Sequence, residues 1–268
     1  MTTMETYVAT WWSSVQDLLT LLEGLDGADW DKATDLPGWD VKAIASHVAH
    51  LEGITGGAPR EEADVPEAPH IKSPMGQFTE IGVITRRGAA PEDIIDEIRR
   101  YTKVRHDELA ANPPTDPDAA AEGLFGAIGW RTRTLLRNRP LDVWTHEQDI
   151  RRAVGKPGNL DSPGAVHTVD YQLEGGGYIV AKKAKAAPGT TVVFAVEGHE
   201  PRAFAVNDVG KGLPLAEAPE SPDVRLAMDR ETFTLHVGGR ASADPSRITV
   251  TGDGLLAQQI IASMATAP

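Results

Sequence analysis

Residues 139–155 read RPLDVWTHEQDIRRAVG, and they place a carboxylate and an imidazole one helical turn apart. Asp142 and His146 are separated by four positions, and in an α-helix side chains at that spacing lie on one face, with Cβ atoms about 5–6 Å from each other. Two side chains placed in this way can bind one ion, as in other helical metal sites. The stretch therefore predicts a helix that carries part of a metal site on one face.

A third metal ligand is expected from the earlier segment 37–50, which reads PGWDVKAIASHVAH. Asp40 is a suitable N-cap for a helix that begins at Val41. His47 continues the buried stripe of that helix and is the better ligand, while His50 would flank the site. Two histidines and one carboxylate leave coordination positions open, which is typical of a catalytic rather than a structural metal site.

The surroundings of this pair allow further interpretations. Asp149 follows His146 by three residues and is expected to orient the second ring nitrogen of that histidine. Spacing alone leaves an alternative open, because an aspartate four residues before a histidine can also form a simple ion pair. We interpret the basic run over 131–139 as a helix surface and its end. We also expect Trp39 and Trp144 to be core residues, with a wall of the pocket as the alternative.

Apolar residues recur at helical spacing throughout the first half of the chain. The pattern predicts helices over residues 4–24, 41–53, 91–111 and 119–154. Because Pro140 cannot lie in an unbroken helix interior, we predict a kink or a restart at Arg139 and Pro140. Residues 55–75 show little periodicity and are rich in Gly, Pro and acidic residues, so we predict a long loop. We expect His70 in this loop to be solvated, with closure over the site as the alternative.

The pattern changes after residues 155–158, Gly-Lys-Pro-Gly, which we interpret as the boundary between domains of residues 1–158 and 159–268. The second half predicts a helix over 162–186, strands over 190–196, 203–206, 224–228 and 248–251, and short helices over 230–238 and 254–265. The expected fold class is therefore α+β, with a helical bundle followed by a smaller α+β domain.

Composition excludes several classes of protein. The 39 acidic residues exceed the 26 basic residues and give a net charge of -13, which argues against a nucleic-acid partner because such binding needs a basic face. No run approaches the roughly 20 apolar residues of a membrane-spanning helix. The first residues carry no basic cluster of a signal or transit peptide, so we expect a cytoplasmic protein without a membrane partner. There is no cysteine, so the protein has no thiol nucleophile of its own.

Two segments carry a resemblance to a known family. Residues 37–47 and 139–149 resemble, in order and separation, the two signatures of the mycothiol-dependent maleylpyruvate isomerase family. These proteins are similar to the wider DinB group of metal-binding four-helix bundles. TLHVGGRAS, over 234–242, and VTGDGLLAQQIIASM, over 250–264, resemble the second domain of the family, which is similar to sterol carrier proteins. The resemblance covers nearly the whole chain and implies a DinB-like bundle followed by a sterol-carrier-like domain.

The resemblance also implies roles for particular residues. It places the metal ligands of the family on His47, Asp142 and His146, with Asp142 standing where the family more commonly has glutamate. It places a substrate-binding arginine on Arg240, although a structural role for Arg240 in its Gly-Gly-Arg turn is equally open. It implies a divalent metal, which we expect to be zinc although the ligand set also suits iron, nickel or manganese.

The implied reaction uses mycothiol, a low-molecular-weight thiol, as cosubstrate. The thiolate, stabilised by the metal, would add to an electrophilic carbon of a small substrate. Loss of the thiol after rotation would make the chain an isomerase, and release of the adduct would make it a thiol S-transferase. Two alternatives remain open, which are a non-enzymatic protein that binds a small ligand and a metal-dependent hydrolase that uses metal-bound water. The substrate itself is left open, because segment 55–90 and the second domain would form its pocket.

Overall fold

A computed structural model of the chain describes residues 3–266, which fall into two separately packed units. The first unit ends at Asn159 and is helical, and the second begins at Leu160 and contains a β-sheet. The α+β class predicted from the sequence is therefore confirmed. Among residues 3–266, none of the helices combines the length and the apolar character that crossing a membrane requires.

Six helices build the first unit. They are α1 (Thr3–Glu23), α2 (Val41–Thr55), α3 (Pro74–Thr85), α4 (Pro91–Ala111), α5 (Gly123–Ala127) and α6 (Thr132–Val154). The four long ones form the bundle, in which α1 packs against α4 and α6, and α2 packs against the same two helices. Their apolar stripes meet in a buried core that includes Val15, Leu18, Ile44, Val48, Ile94, Ile98, Val143 and Ile150. Burial of these stripes stabilises the bundle and fixes which faces of α2 and α6 point inward.

The turn before α2 fixes where that helix begins. Gly38 has a φ of +85°, a left-handed conformation that favours glycine. Asp40 is extended, and its Oδ1 accepts a hydrogen bond from the backbone N–H of Ala43 at 2.7 Å, as predicted for an N-cap. With the start of α2 fixed in this way, His47 lies in its second turn on the buried side.

Helix α6 runs from Thr132 to Val154 through Pro140, so the alternative of a restart at Pro140 is wrong, and the helical region predicted over 119–154 is divided into α5 and α6. A proline inside a helix removes one backbone hydrogen bond and costs about 3 kcal/mol. The helix buries Leu136 before the proline and Trp144 after it. Each large apolar side chain contributes roughly 1.5–3 kcal/mol on burial, so packing on both sides outweighs the lost bond. The helix ends at Gly155, which adopts a left-handed φ of +70°.

Helix α3 was not predicted, since the sequence suggested a loop over residues 55–75 and no element was assigned to residues 76–90. Residues 56–73 do lack helix and strand, but α3 follows at Pro74 and packs against α2. Its start has the local signals of a helix N-terminus. Ser73 accepts a hydrogen bond from the backbone N–H of Gly76 at 3.0 Å, and Pro74 occupies the first turn.

The second unit packs helices against a mixed five-stranded sheet. Its helices are α7 (Pro163–Leu173), α8 (Gly176–Tyr178), a π-helical turn at Ile179–Lys183, α9 (Arg230–Val237) and α10 (Gly254–Ala262). Its strands are β1 (Thr191–Val196), β2 (Arg202–Val206), β3 (Gly212–Pro214), β4 (Val224–Met228) and β5 (Thr249–Gly252). The order is β3-β2-β1-β4-β5, with β1 and β4 parallel and the other pairs antiparallel. The short strand β3 was not predicted.

The single helix predicted over 162–186 is also wrong. It is interrupted at residues 174–175, at the start of a run of three glycines, Gly175, Gly176 and Gly177. A Cβ atom on Gly176 would lie 2.3 Å from the ring of Phe204, so the glycine is required for the sheet to approach the helix this closely. The same run of glycines weakens the helix and allows it to change course.

The packing of α3 on α2 gives a testable prediction. A Cβ atom on Gly82 would lie 2.2 Å from the Cβ of His50, so Gly82→Ala must push α3 away from α2. We expect this overpacking to lower the free energy of unfolding by about 1–3 kcal/mol. Gly76→Ala in the same helix is the control, because its Cβ would meet its nearest neighbour at 3.6 Å. Urea unfolding measures both variants, and equal midpoints for Gly82→Ala and the wild type would contradict the packing described here.

Candidate metal centre

Helices α2 and α6 bring the three predicted ligands together. His47 lies on α2, Asp142 and His146 lie on α6, and one potential ligand atom from each lies within 4.8 Å of the other two. Nε2 of His47 is 3.7 Å from Oδ2 of Asp142, and Nε2 of His146 is 3.8 Å from Oδ1 of the same carboxylate. The two imidazole rings meet edge to face, with centroids 4.7 Å apart. The two imidazoles and the carboxylate therefore face one point inside the bundle.

His47 is buried without a hydrogen-bond partner. Only 4% of the residue is exposed, and among residues 3–266 neither ring nitrogen forms a hydrogen bond, since the carboxylate of Asp142 is 3.7 Å from Nε2. Leaving a buried polar group unpaired costs about 1–3 kcal/mol, so such groups in proteins normally have a partner. Burial lowers the pKa of His47 to about 4, which keeps the ring neutral and its lone pair available near pH 7. A neutral imidazole is the form that binds a metal.

Asp142 supplies the negative charge of the cluster. Burial acts to raise the pKa of its carboxyl group, but the guanidinium of Arg139 and the nearby imidazoles of His47 and His146 outweigh burial and hold that pKa well below its ordinary value. Nη2 of Arg139 donates a hydrogen bond to Oδ2 of Asp142 at 2.9 Å. The carboxylate is therefore ionised at neutral pH.

The second nitrogen of His146 is held by Asp149. Nδ1 of His146 lies 3.2 Å from Oδ2 of Asp149, as the spacing of three residues predicted. Asp149 is itself buried and forms an ion pair with Arg152. Fixing Nδ1 in this way orients the ring so that Nε2 faces Asp142.

Trp39 packs against the core of the bundle, as expected, and also borders the cluster. Its ring centroid lies 5.0 Å from that of His47 and 6.3 Å from that of His146. Its Nε1 donates to Oε2 of Glu80, a buried residue of α3, at 2.9 Å. Trp144, by contrast, is fully buried in the unit.

Two other histidines lie outside the cluster. Nδ1 of His50 is 2.7 Å from Oε2 of Glu61, which also forms an ion pair with Arg86. Nε2 of His70 is 3.4 Å from Oε2 of Glu80, so this loop histidine is attached to the residue that holds Trp39 rather than solvated. Sequence reasoning missed Glu61 and Glu80, because neither stands at a recognisable spacing from its partner.

Arg139 and Arg240 are both buried, but only for Arg139 does the structure test the sequence-based interpretation. Arg139 was interpreted as part of a helix surface, but it is 5% exposed and forms an ion pair with Glu52, so that interpretation is wrong for this residue. Arg240 lies in the second unit, where it is buried and its Nη1 donates to the backbone oxygen of Gly238 at 2.7 Å. Its substrate-binding role stays a prediction.

The cluster fits a divalent cation. Two imidazole nitrogens and one ionised carboxylate are ligands that zinc accepts, and an ion bound through one ring nitrogen of His47 would give that nitrogen the partner it lacks. Three protein ligands leave at least one position for an exogenous group.

Comparison with known proteins identifies relatives over both units. The family model described as "Mycothiol maleylpyruvate isomerase N-terminal domain" matches residues 11–151, and the "MDMPI C-terminal domain" matches residues 177–259. Two solved structures share the fold, and both are 17% identical over 94% of this chain and 96% of theirs. They are a crystal structure of the mycothiol-dependent maleylpyruvate isomerase, with a TM-score of 0.56, and one of its histidine-to-alanine mutants, with a TM-score of 0.52. No curated protein matches the sequence.

The burial of His47 can be tested directly. We expect the imidazole of His47 in metal-free protein to titrate with a pKa of about 4, because burial disfavours its charged form. The measurement is an NMR titration of histidine ring signals between pH 3 and 8, with the His47 signal assigned by its loss in His47→Gln. A midpoint near the ordinary value of about 6.5 would show that the ring is solvated and would contradict the packing of the cluster.

Proposed function

The chain belongs to the mycothiol maleylpyruvate isomerase family, and on that premise we propose that it is a metal-dependent enzyme whose cosubstrate is a small thiol of the mycothiol type. Its reaction is the isomerisation of a small electrophilic substrate or the transfer of the thiol to it. The observation that carries this proposal is the buried imidazole of His47, which forms no hydrogen bond among the described residues, beside the ionised carboxylate of Asp142 and the oriented ring of His146.

His47, Asp142 and His146 would hold the metal, for which zinc is our choice. When bound, a divalent cation would supply the positive charge that stabilises a thiolate at neutral pH. The protein supplies the rest of the environment. His47 contributes a neutral donor, Asp142 contributes a single negative charge, and Asp149 keeps His146 aligned. The small charge of this ligand set suits a further anionic ligand, since it leaves a divalent cation incompletely neutralised.

The nucleophile comes from outside, because the sequence has no cysteine. The chemistry that a thiol supplies is reversible addition to a carbon–carbon double bond, which permits rotation and converts cis to trans geometry. Trp39 borders both histidines and limits the access of water from its side of the cluster. Arg240 is our candidate for binding a substrate carboxylate, since a guanidinium can form two parallel hydrogen bonds with it.

Metal content is the first prediction of this proposal. We expect about one divalent ion per chain in purified wild-type protein by elemental analysis, and loss of that ion in His146→Ala. His106→Ala is the matched control, because His106 lies in the same bundle but stacks on Trp12, and it should retain the metal. Absence of metal from the wild type, even after reconstitution with zinc, would refute the proposed metal dependence.

Thiol dependence is the second prediction. We expect conversion of maleylpyruvate, or of related cis-unsaturated acids, only when mycothiol is present, because the protein has no thiol of its own. His146→Ala should reduce turnover by ~100-fold or more, since even outer partners of metal ligands matter by roughly 10–100-fold. Turnover that is equally fast without any thiol would instead indicate a hydrolase.

A further inference from the structure

Glu52 is a carboxylate with no access to water. It lies on α2 and is 0% exposed. Its Oε2 accepts a hydrogen bond from Nε1 of Trp11 at 3.1 Å. Its Oε1 accepts two hydrogen bonds from Arg139, one from Nε at 3.0 Å and one from Nη2 at 2.7 Å. A charge buried this completely is tolerated only when it is paired and hydrogen-bonded, and Glu52 meets both conditions.

Arg139 connects this carboxylate to the metal centre. The same Nη2 that donates to Glu52 also donates to Oδ2 of Asp142, at 2.9 Å. Oδ1 of Asp142 lies on the other side, 3.8 Å from Nε2 of His146 and beyond hydrogen-bond distance. One guanidinium therefore holds Oδ2 of Asp142, which lies 3.7 Å from Nε2 of His47, while Oδ1 faces His146.

We propose that Glu52 and Arg139 are positioning residues of the metal site, which fix the orientation of the Asp142 carboxylate between His47 and His146. The inference rests on the proposed function, because it concerns the same site. Glu52 acts through Arg139, and Arg139 acts through Asp142. Glu52 is in turn held by Trp11, whose Nε1 donates a hydrogen bond to its carboxylate.

The positive charge of Arg139 explains why the metal site needs Glu52 as well. A guanidinium beside a cation site repels the cation, and in a buried environment that repulsion is weakly screened. The charge of Glu52 balances that of Arg139, so the three groups together retain the net negative charge of Asp142. Replacing Glu52 by glutamine removes that balance while keeping the shape of the side chain.

A purely structural role for the buried ion pair must be distinguished from a positioning role. Glu147 provides the matched control, because it is also 0% exposed and also pairs with an arginine. Its Oε1 accepts from Nε of Arg151 at 2.7 Å, and both of its oxygens accept from Nδ2 of Asn159. Glu147→Gln should cost stability as Glu52→Gln does, but it should leave metal binding unchanged.

The experiment is a competition titration of zinc against a chelator, with full-length wild type, Glu52→Gln and Glu147→Gln. We expect Glu52→Gln to raise the Kd for zinc ~10–100-fold and Glu147→Gln to keep the wild-type Kd. Equal Kd values for Glu52→Gln and wild type, or equal weakening in both variants, would overturn the positioning role while leaving the proposed function intact. A wild type that binds no zinc would overturn both.

Arg139→Lys is a second variant that tests the same proposal if Glu52→Gln does not fold. Lysine keeps the charge but loses the planar fork that spans Glu52 and Asp142. We expect weaker zinc binding and an altered visible spectrum of the cobalt-loaded protein, because Asp142 is freed to rotate and the ligand geometry changes. A wild-type Kd together with a wild-type cobalt spectrum would overturn the proposal.

Discussion

Arg139 is a permanent positive charge buried at the contact between two helices, and such a charge has to be surrounded by anions. Glu52 of α2 and Asp142 of α6 meet that need. Breaking a buried ion pair by removing one partner typically costs about 3–5 kcal/mol, so a slide of α2 along α6 that separated these groups would be strongly opposed. The same register brings His47 opposite Asp142 and His146. The ion pair therefore aligns the helices at the point where the candidate ligands meet.

The surroundings of this polar contact are apolar, and they determine its properties. Packed side chains such as Ile44, Val48 and Val143 keep water out, which lowers the pKa of His47 and strengthens every charge interaction in the cluster. Carboxylates behind two of the three candidate ligands complete the arrangement. Asp149 holds His146, and Glu52 balances the arginine that holds Asp142. A site of this kind is preorganised by the fold before any ion enters.

The sequence predicts the parts of this arrangement that local patterns encode. Helices α2 and α4 and the strands β1, β2, β4 and β5 follow from apolar periodicity, and the spacing of Asp142 and His146 indicates a shared face. Helix α3 was missed because it directly follows a segment rich in Gly, Pro and acidic residues, for which a loop was predicted. The ion pair between Glu52 and Arg139 was missed for another reason. The two residues are separated by 87 positions in the chain, and no local sequence pattern indicates which distant residue a buried charged side chain will pair with.

The most direct test of the central claim is anomalous X-ray diffraction at the zinc absorption edge, from crystals of the full chain grown with zinc. We expect one strong peak between His47, Asp142 and His146, because these three side chains converge within the bundle. A zinc peak coordinated by other side chains, with none at these three, would contradict the account.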